Sequence, residues 1–103
     1  MGSFDEREAA FEKRFAVAED ARFRARVARD RRVGQWAAHW LGLGEADIEA
    51  SVSAFAQDCV GKDDSVIAVD LAARFAAASR PMEPARILRK LAAAQAEADS
   101  AEG

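Results

Sequence analysis

Between Ser3 and Leu41 nothing in the sequence stops a helix. No proline occurs before Pro81, and Gly34 is the only glycine inside that stretch. An interior proline removes a helix hydrogen bond and clashes with the preceding turn, so its absence over so long a run is informative. A start signal is present too. Ser3 and Glu6 fit the S-x-x-E capping box, in which each side chain satisfies a free backbone N–H of the first turn. Asp5, Glu6 and Glu8 stand where the helix dipole favours negative charge. The spacing predicts one helix from about Phe4 to Leu41, ending at "LGLGEAD".

Such a helix would be about 57 Å long at 1.5 Å per residue. A compact domain of 103 residues has a radius of gyration of only about 13 Å. The rest of the chain offers three shorter helices. Ile48, Val52, Phe55, Ala56 and Cys59 form one apolar stripe, with Gly61 as its C-terminal stop. Ile67, Leu71, Phe75 and Ala78 form the next, which starts near Asp63 or Asp64, an acid pair read as a cap, and ends at "SRPMEP". The last opens with Pro84 at a first-turn position, buries Ile87, Leu88 and Leu91, and frays in its tail. No strand-like alternation and no internal repeat occurs. The fold class is therefore all-α: a four-helix bundle with a long first helix and an N-terminal amphipathic arm. Trp36, Phe55, Leu71 and Ile87, one from each helix, are the expected centre of the core.

The short helices, each roughly 21–24 Å, can cover the Arg22–Leu41 half of the first helix but not Phe4–Phe15 as well. The apolar stripe supports a division at the same place. Phe4, Phe11, Phe15 and Ala18 share a face, whereas Phe23 and Val27 point about 100° away from it. Val33, Trp36, Ala37 and Trp40 return near the original line. The arm either folds back at the slip, projects, or stays disordered until a partner arrives. The expected division is residues 1–20 as arm, 21–95 as bundle and 96–103 as tail. Three phenylalanines on one helical face suit the helix-in-groove mode of binding.

Charge is arranged in blocks. Residues 1–20 carry six acids and three bases, residues 21–32 six arginines and one aspartate, and residues 33–103 eleven acids and six bases. Arg22, Arg26 and Arg29 share a face of the basic belt, flanked by Arg24 and Arg32. Asp20–Arg24 and Arg26–Asp30 are spaced for local ion pairs. The belt reads either as a solvated, locally paired face or as a surface for nucleic acid or an acidic protein. A net charge of −3 and a pI near 5.2 count against general nucleic-acid affinity.

Nothing points to catalysis, a metal or a cofactor. His39 has no second histidine or acid at ligand spacing, and the lone Cys59 lies on an apolar stripe. No phosphate-binding glycine loop, H-E-x-x-H or cysteine pair occurs. The Trp36/Trp40 pair reads as core. A single cysteine suits a reducing compartment, the N-terminus lacks a signal-peptide pattern, and no apolar run is long enough to span a bilayer. A cytoplasmic protein is expected.

"FDEREAAFEKRFA", "WAAHWLGL" and "ILRKL" together resemble the zeta-subunit family, inhibitor subunits of alphaproteobacterial F-type ATP synthase. Phe4, Asp5, Arg7, Glu8, Ala10, Phe11, Glu12 and Phe15 carry the N-terminal part of that likeness. The resemblance implies a four-helix bundle, not itself an enzyme, whose N-terminal helix enters a closing interface between alpha and beta subunits of the ATPase head, with the gamma subunit as a further candidate partner. ATP hydrolysis then stops. It would place the chain in the cytoplasm, peripheral on that head. Phe4, Asp5, Arg7, Glu8, Phe11, Glu12 and Phe15 become partner-binding residues, with Arg22, Arg26 and Arg29 assisting by charge. A generic helical adaptor and an RNA-binding module using the belt are the competing readings.

Overall fold

In the computed structural model, backbone is described for residues 2–102 and side chains for residues 6–101. Four helices follow one another: α1 (Gly2–Trp40), α2 (Glu45–Cys59), α3 (Asp64–Ala77) and α4 (Pro84–Glu102). No strand occurs among the described residues. α1 packs on α2 and α4, and α3 packs on α4. The all-α four-helix bundle with a long first helix is the observed fold.

The first three helices stop where a residue leaves helical geometry. α1 ends in a Schellman motif: Gly42 has φ 74°, its N–H bonds the His39 carbonyl, and the Leu43 N–H bonds that of Ala38. Gly61, φ 76°, follows α2. The stop of α3 has the same hydrogen-bond pattern, but Ser79 occupies the left-handed position, φ 58°, with Arg80 N–H on the Phe75 carbonyl. Pro84 is the first residue of α4, where its missing N–H costs nothing. The Ser3 capping box involves side chains outside those described.

The core joins Val33 and Ala37 of α1 to Phe55 and Cys59 of α2, Ile67, Leu71 and Phe75 of α3, and Ile87, Leu91 and Ala94 of α4. Trp36 is half-buried against it and meets Phe75 edge-to-face, with ring centroids 6.0 Å apart. The four residues expected at the centre therefore do sit in or against one cluster. Gly34 lets α1 and α2 approach closely: a Cβ there would lie 3.2 Å from Phe55 Cδ2 and 3.4 Å from Val52 Cα.

Four local expectations change, the first being Leu88, expected to be buried but 39 % exposed. Trp40 is 42 % exposed, because it is the last residue of α1 and stands outside the core cluster, with Arg80, Pro81, Met82 and Arg86 beside it. Asp63 precedes α3 but its side chain makes no cap hydrogen bond. Asp64, the other half of that acid pair, instead accepts from an arginine of α1. Finally, α4 remains helical to Glu102, with Ala98 fully buried, since Ala94 and Ala98 prolong the Leu91 stripe.

Candidate functional site

Side chains from Glu6 to Asp20 are all exposed, and the first buried residue of α1 is Ala25. Phe11 is 70 % and Phe15 59 % exposed, although both lie on one face of a continuous helix. Val17 is similarly open. The overall extents, 66 × 28 × 21 Å, and a radius of gyration of 17.7 Å describe a bundle with a projecting arm. Of the three dispositions open to the arm, projection is the one observed. Arg7, Glu8 and Glu12 are exposed around the phenylalanines. Phe4 and Asp5 belong to α1, but their side chains lie outside those described.

A projecting arm of this kind has no packing to hold it. Helices of about 12–15 residues are marginal alone in water, so the arm's order derives from continuity with the buried half of α1. Exposed phenylalanine rings gain about 1.5–3 kcal/mol each when a partner covers them.

The arginine belt divides into two kinds of residue. Arg22 pairs with Glu19, and Arg24 with Asp20. The second of these is the local pair that the spacing predicts. Arg26 does not pair with Asp30; it donates to the Lys62 carbonyl at 2.9 Å and lies 3.7 Å from Asp64. Arg31 reaches Glu49 at 2.7 Å, and Arg32 lies 3.9 Å from Glu97. Every arginine of the belt thus has a carboxylate partner, and the belt is a paired surface rather than a free cationic one.

Arg29 departs from the expected exposed face. Its side chain is 2 % exposed, and it donates to Asp30 Oδ1 at 2.8 and 3.0 Å and to Asp64 Oδ1 at 2.8 Å. Burial lowers its proton affinity, but the hydrogen bonds and charges of Asp30 and Asp64 outweigh this and its pKa is raised. A guanidinium so enclosed ties α1 to the start of α3 and has no surface for a partner. Its sequence spacing suggested solvent, because one face of α1 changes from arm to bundle between Arg22 and Arg29.

Above this clamp the surface is concave. A groove of about 440 Å³ lies at the base of the arm, with Phe23, Val27 and Val60 as its apolar part and Arg22, Arg26 and Lys62 at its edge. Phe23 is 61 % exposed and Val60 66 %. Sequence periodicity separated Phe23 and Val27 from the arm's phenylalanine face but offered no signal that Val60 would join them.

Among the described residues no group of three His, Cys, Asp or Glu could hold a metal ion. Cys59 is buried, which pushes its thiol to about 12, with Asp30 adding to the shift, so it is no nucleophile at neutral pH. No helix among the described residues is long and apolar enough to cross a membrane.

Residues 1–101 match the family model of the ATPase inhibitor subunit zeta. The chain belongs to that family. The match includes both the projecting arm and the bundle, so the arm is part of the zeta pattern. Neither a search of curated proteins nor one of solved structures found a match. As a zeta-family chain, the protein is an inhibitor subunit of an ATPase, a regulatory role.

Proposed function

We propose that this zeta-family chain stops ATP hydrolysis by inserting its N-terminal arm, as a helix, between an alpha and a beta subunit of the F-type ATPase head, near gamma. The observation that carries the reading is the uncovered face of Phe11 and Phe15 on a helix already held out from the bundle. Phe4 extends the same face by sequence spacing. A groove between two subunits would cover these rings, as amphipathic helices are covered elsewhere. Asp5, Arg7, Glu8 and Glu12 would set the register of the helix by charge. Arg22 and Arg26, at the base of the arm, would meet the rim of the groove and act mainly on the association rate. Arg29 is left out of this set.

Residues 1–20 then act as the inhibitory arm and residues 21–95 as the body that holds it. The protein would work in the cytoplasm, on the periphery of the head. The RNA-binding alternative loses support, because all six belt arginines are already paired with carboxylates. ATP hydrolysis by purified ATPase head, with the whole chain and with a chain lacking residues 1–18, tests the proposal. Inhibition should require the arm. Equal inhibition without it would overturn the insertion reading.

A further inference from the structure

The end of the bundle opposite the arm has the reverse charge logic. From Leu71 to Ala96 the sequence holds Arg74, Arg80, Arg86, Arg89 and Lys90 but only one acid, Glu83. None of these five bases forms an ion pair among the described residues. In the belt, by contrast, no arginine lacks one. Three of the unpaired cations gather on the two tryptophans. The Arg86 guanidinium carbon lies 4.9 Å from the Trp40 ring centroid, Lys90 Nζ 6.0 Å from that of Trp36, and Arg80 Nη1 donates to the Trp40 carbonyl at 2.8 Å.

A hollow of about 280 Å³ opens there, lined by Trp40, Arg80, Pro81, Met82 and Arg86. The Trp40 ring holds Arg86, the Trp36 ring holds Lys90 and the Trp40 carbonyl holds Arg80, none of them neutralising the charge. The hollow's volume suits one or two side chains rather than a long polymer, and Glu83, just before α4, is the one acid near it in sequence, the first turn of α4 itself carrying none. We infer that this face docks an acidic peptide segment of a protein partner, whose carboxylates pair with Arg86, Arg80 and Lys90 while an adjoining side chain lies against Trp40.

The charge pattern supplies the choice of occupant. Guanidinium–carboxylate pairs can form two parallel hydrogen bonds, and Arg86 is free to do so. A nucleic-acid strand would have to continue past this small face onto a molecule with a net charge of −3, so a short acidic segment is the better complement. The surface is separate from the arm, and the inference does not depend on what the arm inserts into.

Trp36 and Trp40 are the only tryptophans in the chain, so the face contains its own reporter. The experiment is a titration of the full chain with hexaglutamate peptide at low salt, followed by tryptophan emission. A saturable change is expected, weakening as salt is added. Affinity should fall at least about tenfold, a difference of about 1.4 kcal/mol, in the Arg86→Gln, Lys90→Gln double variant. It should be unchanged in Arg22→Gln, which alters a paired arginine at the other end. Arg86→Gln alone serves if the double variant does not fold. No saturable change, or one of equal affinity in the variants, overturns the inference. So does tighter binding of a twenty-residue thymidine oligonucleotide or of phosphatidylserine vesicles than of the peptide.

Discussion

Arg29 Nη1 donates to Asp64 Oδ1 at 2.8 Å, joining the middle of α1 to the first residue of α3 just below the point where the arm leaves the bundle. With Asp30 on its other donors, the guanidinium is enclosed and fully partnered on that side. The arm can project because α1 is clamped here.

Removing one member of a buried pair leaves an uncompensated charge, which costs about 3–5 kcal/mol. Arg29→Met should therefore lower unfolding stability by that amount in chemical denaturation. Arg22→Gln, which breaks an exposed pair with Glu19, should change it by less than about 1 kcal/mol. Equal effects from the two substitutions would contradict the structural role of Arg29.

Phe55 is 6 % exposed and lies in the cluster joining all four helices. Phe55→Ala should cost about 3–5 kcal/mol. A loss below about 1 kcal/mol would mean that α2 is not packed as described.

The four helices were legible because apolar stripes of 3.6-residue period are punctuated by local signals: Gly42 and Gly61 stop α1 and α2, and Pro84 starts α4. The arm was legible from length and from the stripe slip near Phe23. Arg29 was not, since an arginine at i+7 from Arg22 looks solvated until Asp64, 35 positions away, is brought against it. Trp40 was misjudged for a similar reason: it keeps the periodicity of Trp36, but α1 ends there, and it faces an open hollow lined by Arg80, Pro81, Met82 and Arg86 instead of the core. Ser79 in left-handed geometry had no local signature either, as glycine is the usual residue at that position.

That serine gives a stabilising prediction. A non-glycine residue in the left-handed region costs about 1–2 kcal/mol, partly offset by glycine's greater freedom when unfolded. Ser79→Gly should raise stability by about 0.5–1 kcal/mol, read as an increase in melting temperature. A decrease would show that the Ser79 side chain contributes a contact outweighing the backbone strain.

Cys59 gives a pH dependence. Its folded pKa, about 12, lies above the value of about 8.5 for an unfolded thiol. The folded state therefore keeps the proton after the unfolded state has lost it. This contribution is fully present below about pH 8.5 and is lost as pH rises toward 12, with a slope of at most about 1.4 kcal/mol per pH unit. Lys62, raised by hydrogen bonds to Asp58 and Asp70, adds a loss of the same sign above its unfolded pKa. Denaturation between pH 8 and 11 should show a shallower decline in Cys59→Ala than in the natural sequence. Identical slopes would contradict burial of the thiol.

The central claim is that the arm's exposed phenylalanine face, and not the bundle, arrests the ATPase. It is tested most directly by comparing the natural chain with the Phe11→Ala, Phe15→Ala double variant in two measurements: thermal unfolding of the free protein and inhibition of ATP hydrolysis by purified ATPase head. Both rings are exposed, so the melting temperature should scarcely move. If a partner covers them, losing about 3–6 kcal/mol of burial should raise the half-inhibitory concentration by about 100-fold or more. Unchanged inhibition by the double variant, with its melting temperature intact, would contradict the account.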